Sequence, residues 1–104
     1  MFQIANTPEP PYYAVIAPAV LGPDVTGYPE MALRLMELAG DVDGFLGIES
    51  CVHGNFSLAV SYWRSLEAIE RWRQHTRHLL AKDLGKTRWF ESYVTRIAKV
   101  ERVY

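Results

Sequence analysis

Residues 61–104 read SYWRSLEAIERWRQHTRHLLAKDLGKTRWFESYVTRIAKVERVY, and their order of strand, helix and strand decides how the rest of the chain must be read. Ser65 suits a helix N-cap, because its hydroxyl can accept from a free amide of the first turn, and Glu67 and Glu70 favour the positive end of the dipole. At 100° per residue, Ile69, Trp72, Thr76, Leu79 and Leu80 fall on one stripe, which is the face this second helix should bury. Arg71, His75, His78 and Lys82 line a basic flank beside it. Past Gly85, Thr87-Arg88-Trp89-Phe90 is expected to form one helical turn. Ser92–Tyr104 then alternates as a long fourth strand.

Working upstream, Phe56–Trp63 reads as strand three. Phe56, Leu58, Val60 and Tyr62 point one way, and Ser57, Ala59, Ser61 and Trp63 the other. That second face is made of small residues ending in a tryptophan, so it leaves space beside the strand. His53-Gly54-Asn55 supplies the positive φ of a tight hairpin back to strand two, Phe45–Val52. Ahead of it, Pro29 fits a first helical turn, and Tyr28, Met31, Ala32, Leu35, Leu38 and Ala39 form the apolar stripe of helix one, closed by Gly40 or Asp43-Gly44. Strand one is expected over Tyr12–Ala17, ending at Pro18. Pro8, Pro10 and Pro11 make residues 1–11 an extended arm ahead of a single domain over 12–104.

The order β-α-β-β-α-β is the ferredoxin-like split βαβ arrangement, an α+β fold with an antiparallel four-stranded sheet and both helices on one face. Strand residues on both faces are largely apolar, yet two helices cover only one. A second copy of the sheet is the natural cover, which predicts a homodimer through sheet faces, with the C-terminal strand reaching across. The 104 residues, 49% hydrophobic, hold one core. With 11 basic and 12 acidic residues there is no electrostatic footprint for nucleic acid or an anionic membrane. No apolar run approaches the roughly 18 residues of a membrane span. The lone Cys51, among apolar neighbours, reads as packing in a reducing compartment, and a cytoplasmic protein is expected.

Ser61-Tyr62-Trp63-Arg64-Ser65 with Glu67-Ala68-Ile69 and Trp72, then His78 and Tyr93, resembles the antibiotic biosynthesis monooxygenase (ABM) domain family. The stretches from Thr7 to Val15, Gly27 to Ala32 and Gly44 to Ser50 look like one bacterial branch of it, so the resemblance spans essentially the whole chain. It implies a dimeric α/β barrel. It also implies one of three activities: cofactor-independent oxygenation of aromatic polyketides or quinols, haem breakdown, or none established. The haem-degrading members use an Asn on strand one, a Trp on helix two and a haem-ligating His further along that helix. Trp72 matches the Trp. Tyr12–Ala17 holds no Asn, and the ligand position falls at or near Lys82, so haem breakdown ranks a distant third.

Oxygen chemistry without a cofactor needs an apolar cavity, a base or donor of suitable pKa and exclusion of water, since the substrate itself gives a proton and then an electron to oxygen. His78 or His75 is the candidate base, because imidazole titrates near neutrality. Trp63, Trp72, Tyr62, Trp89 and Tyr93 are the candidates for holding a flat aromatic substrate. His75 and His78 lack a third partner of diagnostic spacing, so no metal and no cofactor are expected. Two readings stay open at this point: a small monooxygenase acting on an aromatic or quinol-like molecule, and a non-enzymatic dimeric domain that binds a small hydrophobic ligand.

Overall fold

The computed structural model of the chain describes residues 3–81 and 89–104. Its elements are β1 (Tyr12–Leu21), α1 (Tyr28–Gly40), β2 (Phe45–His53), β3 (Phe56–Trp63), α2 (Leu66–Ala81), β4 (Phe90–Tyr93) and β5 (Arg96–Val100). The antiparallel sheet runs β2-β3-β1-β4, with β5 paired along the same edge of β1 as β4. This is the α+β, ferredoxin-like order that the alternation of patterns predicts.

Local chemistry starts both helices where the sequence places them. Gly27 takes φ 84° ahead of α1, a left-handed conformation that costs glycine little, and Pro29 follows in the first turn. Ser65 Oγ accepts from the Ala68 amide at 3.1 Å and so caps α2.

Two boundaries differ from the sequence reading, and one residue explains both. β1 does not stop at Pro18 but runs on to Leu21, and the expected single strand Ser92–Tyr104 is split into β4 and β5, with residues 101–104 outside regular structure. In the shared register Ala19 faces Tyr93 and Ile16 faces Arg96, so Pro18 stands opposite Val94. The Pro18 carbonyl accepts from the Val94 amide at 3.2 Å, but proline has no N–H to return. The ladder therefore breaks in the edge strand at Val94-Thr95, while β1 is still held by β3 through the pair Pro18–Leu58. Of the helical turn expected at Thr87–Phe90, Thr87 and Arg88 lie outside the described residues, Trp89 is outside regular structure and Phe90 opens β4.

The core gathers at one end of the sheet, where Trp63, Val15, Ala39, Ala68 and Ile69 are buried and Tyr13, Val42, Phe45 and Trp72 pack around them. Trp63 is fully buried, which contributes about 3 kcal/mol at the usual value per large side chain. Gly44 lets the α1–β2 turn lie on α2: at φ 101°, an added Cβ would stand 2.6 Å from the Ala68 Cβ.

The other sheet face carries no helix. Tyr12, Ala14, Ile16, Pro18 and Val20 line up there with Tyr62, Val60, Leu58 and Phe56. The arm covers one end of it. The Ala5 amide donates to Glu49 Oε2 at 2.9 Å, Tyr62 Oη donates to Glu49 Oε1 at 2.6 Å, and Thr7 Oγ1 and Tyr12 Oη share a hydrogen bond of 2.9 Å. Burial and the Glu49 carboxylate together push the Tyr62 phenol up to about 12. Elsewhere on this face the large side chains stay half-open, and Phe56 keeps 44% of its surface exposed. Cys51, expected to be packed, is exposed here, because β2 is the sheet's outer strand.

Candidate functional site

The alternation of β3 creates the site. Its helix-side residues Ser57, Ala59 and Ser61 stand opposite Ala19, Ala17 and Val15 of β1, and opposite Val52, Ser50 and Ile48 of β2. Such a floor is too low to meet the helices above it. At the core end Trp63 fills the gap, and beyond it the layers leave a half-open cavity of about 520 Å³. That volume lies in the range of small-molecule sites.

The roof is the apolar stripe of α1, with Ala32, Leu35, Met36 and Ala39, and Trp72 of α2 adds a wall. At the far end Tyr28 and Phe90 meet edge to face, with ring centres 5.5 Å apart. Polar groups are few: the hydroxyls of Ser50, Ser57 and Ser61 on the floor and the Tyr28 phenol, whose oxygen is 3.5 Å from Ser57 Oγ. Among the described residues lining the cavity, none bears a carboxylate, an imidazole or a cation. The arrangement can take up a flat apolar molecule between sheet and helices and offer it hydroxyl donors. Among its described lining residues, no side chain takes a proton at neutral pH.

The residues singled out from the sequence fall in several places. Trp72 lines the cavity. Trp63 lies just behind it, its ring 5.2 Å from that of Trp72 and its indole N–H donating to Ser61 Oγ at 2.9 Å. Trp89 is buried behind Tyr28, at 5.6 Å between ring centres, and its indole N–H donates at 2.8 Å to the Thr26 carbonyl, tying down the β1–α1 loop. Tyr93 packs on Phe90 but is 72% exposed, and Tyr62 points to the open face of the sheet. His75 and His78 are brought together, but in a shallow groove between the helices with Arg34, Glu37 and Asp41, away from the cavity lining. Arg71 of the same flank donates to the Asp43 carbonyl at 2.9 Å. No cluster of three ligating side chains exists among the described residues.

Sequence reasoning misses the serines and the α1 stripe as site residues. The signal for the serines is the run of small side chains on one face of β3. For α1 there is none, because a helix stripe over a cavity and one over a packed core have the same periodicity.

No family model matches the chain. The uncharacterized protein YqjZ of Bacillus subtilis (strain 168) is 50% identical over 100 residues, covering 95% of this chain and 88% of that protein. Among solved structures, SnoaB of Streptomyces nogalater, a cofactor-independent oxygenase solved in a mutant form, superposes with a TM-score of 0.72 at 9% identity, covering 88% of this chain and 95% of that one. A candidate antibiotic biosynthesis monooxygenase from Nitrosomonas europaea gives 0.69 at 11% identity, covering 89% and 91%. PA3566 of Pseudomonas aeruginosa gives 0.67 at 19% identity, covering 92% and 98%.

Proposed function

This chain belongs to the family of Bacillus subtilis YqjZ and has the ABM-type fold, and from that premise we propose that it is a small cofactor-independent monooxygenase acting on an aromatic or quinol-like molecule held between sheet and helices. One observation carries the reading: the apolar cavity of about 520 Å³ over the serine floor of β3. The fold likeness to an oxygenase that works without a cofactor adds to it.

The chemistry follows from what the cavity offers. A quinol or hydroxylated polycycle has an acidic hydroxyl of its own, so the site needs only to favour the ionised form. Fixed donors aimed at the developing oxyanion do this in a water-poor cavity. The hydroxyl proton leaves to solvent at the cavity mouth, the ionised ring passes one electron to O2, and the two radicals combine at a ring carbon that bears a hydrogen. The peroxide takes a proton back from solvent, and the hydroperoxide then loses that carbon's hydrogen and its outer OH as water. One oxygen atom stays on the ring carbon as a carbonyl, and the other leaves in the water. Trp72 and Phe90 flank the ring, while Ser61 and Tyr28 supply donors at opposite ends. His75 and His78, on the outer groove, take no part in this scheme.

The protein works as a cytoplasmic homodimer in this reading. The half-exposed Phe56, Leu58, Val60, Ile16 and Val20 need cover, and a standard interface of roughly 800 Å² per partner would hide most of that face. Among the described residues, no helix is long and apolar enough to cross a membrane.

The test is oxygen uptake on adding quinols and polycyclic phenols while tryptophan fluorescence is followed. Saturable quenching with one O2 consumed per substrate is expected. The lack of a base among the described lining residues favours a second reading, a binding domain without catalysis. Quenching without oxygen uptake would establish that one instead.

A further inference from the structure

Ser61 differs from the other hydroxyls of the cavity floor. It is 4% exposed, and its Oγ already accepts the Trp63 indole N–H at 2.9 Å. An indole N–H only donates, so the serine proton must point elsewhere. Its cross-strand neighbours on the same face are Val15 and Ile48, neither of which offers a side-chain acceptor. Among the described residues Ser61 Oγ has no second partner, and the cavity is what it faces. Ser57, by contrast, shares its hydroxyl with Tyr28, and Ser50 is exposed. Trp72, which lines the same cavity, also has a buried Nε1 with no acceptor among the described residues. The inner end of the cavity is therefore supplied with donors and short of acceptors.

We propose that Ser61 is the specificity-determining donor of the site, aimed by Trp63, and that it receives an acceptor oxygen, a carbonyl or ring hydroxyl, carried at the inner end of a flat apolar ligand. The assignment rests on the cavity being the binding site. Ser61 would touch the ligand, and Trp63 is a positioning residue that acts through Ser61. A buried donor left without its acceptor is costly, so a ligand lacking the oxygen is disfavoured at this end.

The experiment compares two ligands of nearly equal size, 1-tetralone with a carbonyl oxygen and tetralin without one, by calorimetric titration of the whole chain. Relative to wild type, Ser61→Ala should weaken tetralone by about 3- to 10-fold, the span of one net hydrogen bond, and leave tetralin within about 2-fold. Ser61→Thr, which keeps the hydroxyl, should retain the tetralone affinity. Trp63→Phe should lower the ratio of the two affinities in the same direction, a change that loss of packing alone would not produce, and it reads the same quantity should Ser61→Ala not fold. If both ligands bind and Ser61→Ala and Trp63→Phe leave the ratio unchanged, Ser61 is not the donor, although the cavity stands as the site. If neither ligand binds the wild-type chain, the cavity reading fails and this assignment with it.

Discussion

The two faces of β3 carry opposite solutions to the same problem. On the helix side the strand presents Ser57, Ala59 and Ser61, small residues beneath helices that stand too high to touch them, so the covered face is the one with the void. On the other side Phe56, Leu58, Val60 and Tyr62 are large, yet no helix meets them and only the arm reaches one end. Side-chain volume and cover are thus inverted. Packing for stability alone would place the large residues under the helices. The proposed function accounts for both faces, with a ligand filling the void on the covered side and a second copy of the chain covering the large residues on the open side.

The largest effect expected within the comparison is at the end where the covered face is filled. Trp63→Ala should cost about 3–5 kcal/mol, as for other large buried aromatics, in urea unfolding followed by circular dichroism. A loss under about 1 kcal/mol would mean that Trp63 is not the plug of the core. On the open face, Leu58→Asp should leave the monomer folded and break the proposed dimer, so that light scattering reads a single chain mass of 11.9 kDa instead of twice that value. A wild-type protein that is already monomeric would undo the account of that face.

The arm provides a smaller test. At Gly47, with φ 153°, an added Cβ would stand 2.9 Å from the Ala5 Cβ. Gly47→Ala should therefore displace the arm and cost about 1–3 kcal/mol, with faster amide exchange at Ala5 as the direct readout. Unchanged protection at Ala5 would show that the arm is not held there. The smallest effect is that of Tyr62. Its folded pKa of about 12 lies above the ordinary 10.0, so the unfolded chain loses this proton first as pH rises. Stability should be unaffected by this group below pH 10 and fall between 10 and 12. Tyr62→Phe should flatten that fall.

Most of the fold was legible because periodicity is a backbone property: a period of 3.6 in Tyr28–Ala39, a period of 2 in Phe56–Trp63, Pro29 at the start of one helix and a Ser65 cap on the other leave few alternatives. The break in the last strand was not, although its cause is a single proline. Pro18 reads as the end of its own strand, whereas its missing N–H acts on the residue opposite, Val94, and which residue lies opposite depends on a register set by the whole sheet. Of the site, the gap beside Ser57, Ala59 and Ser61 could be read from side-chain size. The opposite faces of Tyr62 and Trp63 could be read from the same alternation, but the place of Trp89 could not, since it is committed to the Thr26 carbonyl by a contact 63 residues away in sequence. The paired histidines draw notice for their chemistry, but on α2 they lie outside the stripe that faces the sheet.

The central claim is that the void over the small face of β3 is the binding site, and filling it tests that most directly. Ala59→Phe places a ring in the middle of the floor without touching Trp63, Ser61 or the open face. Calorimetric titration with 1-tetralone should then show one site per chain in the wild type and none in the variant, whose circular dichroism and mass in solution stay unchanged. Equal binding by a folded Ala59→Phe protein would contradict the account and place the ligand elsewhere on the molecule.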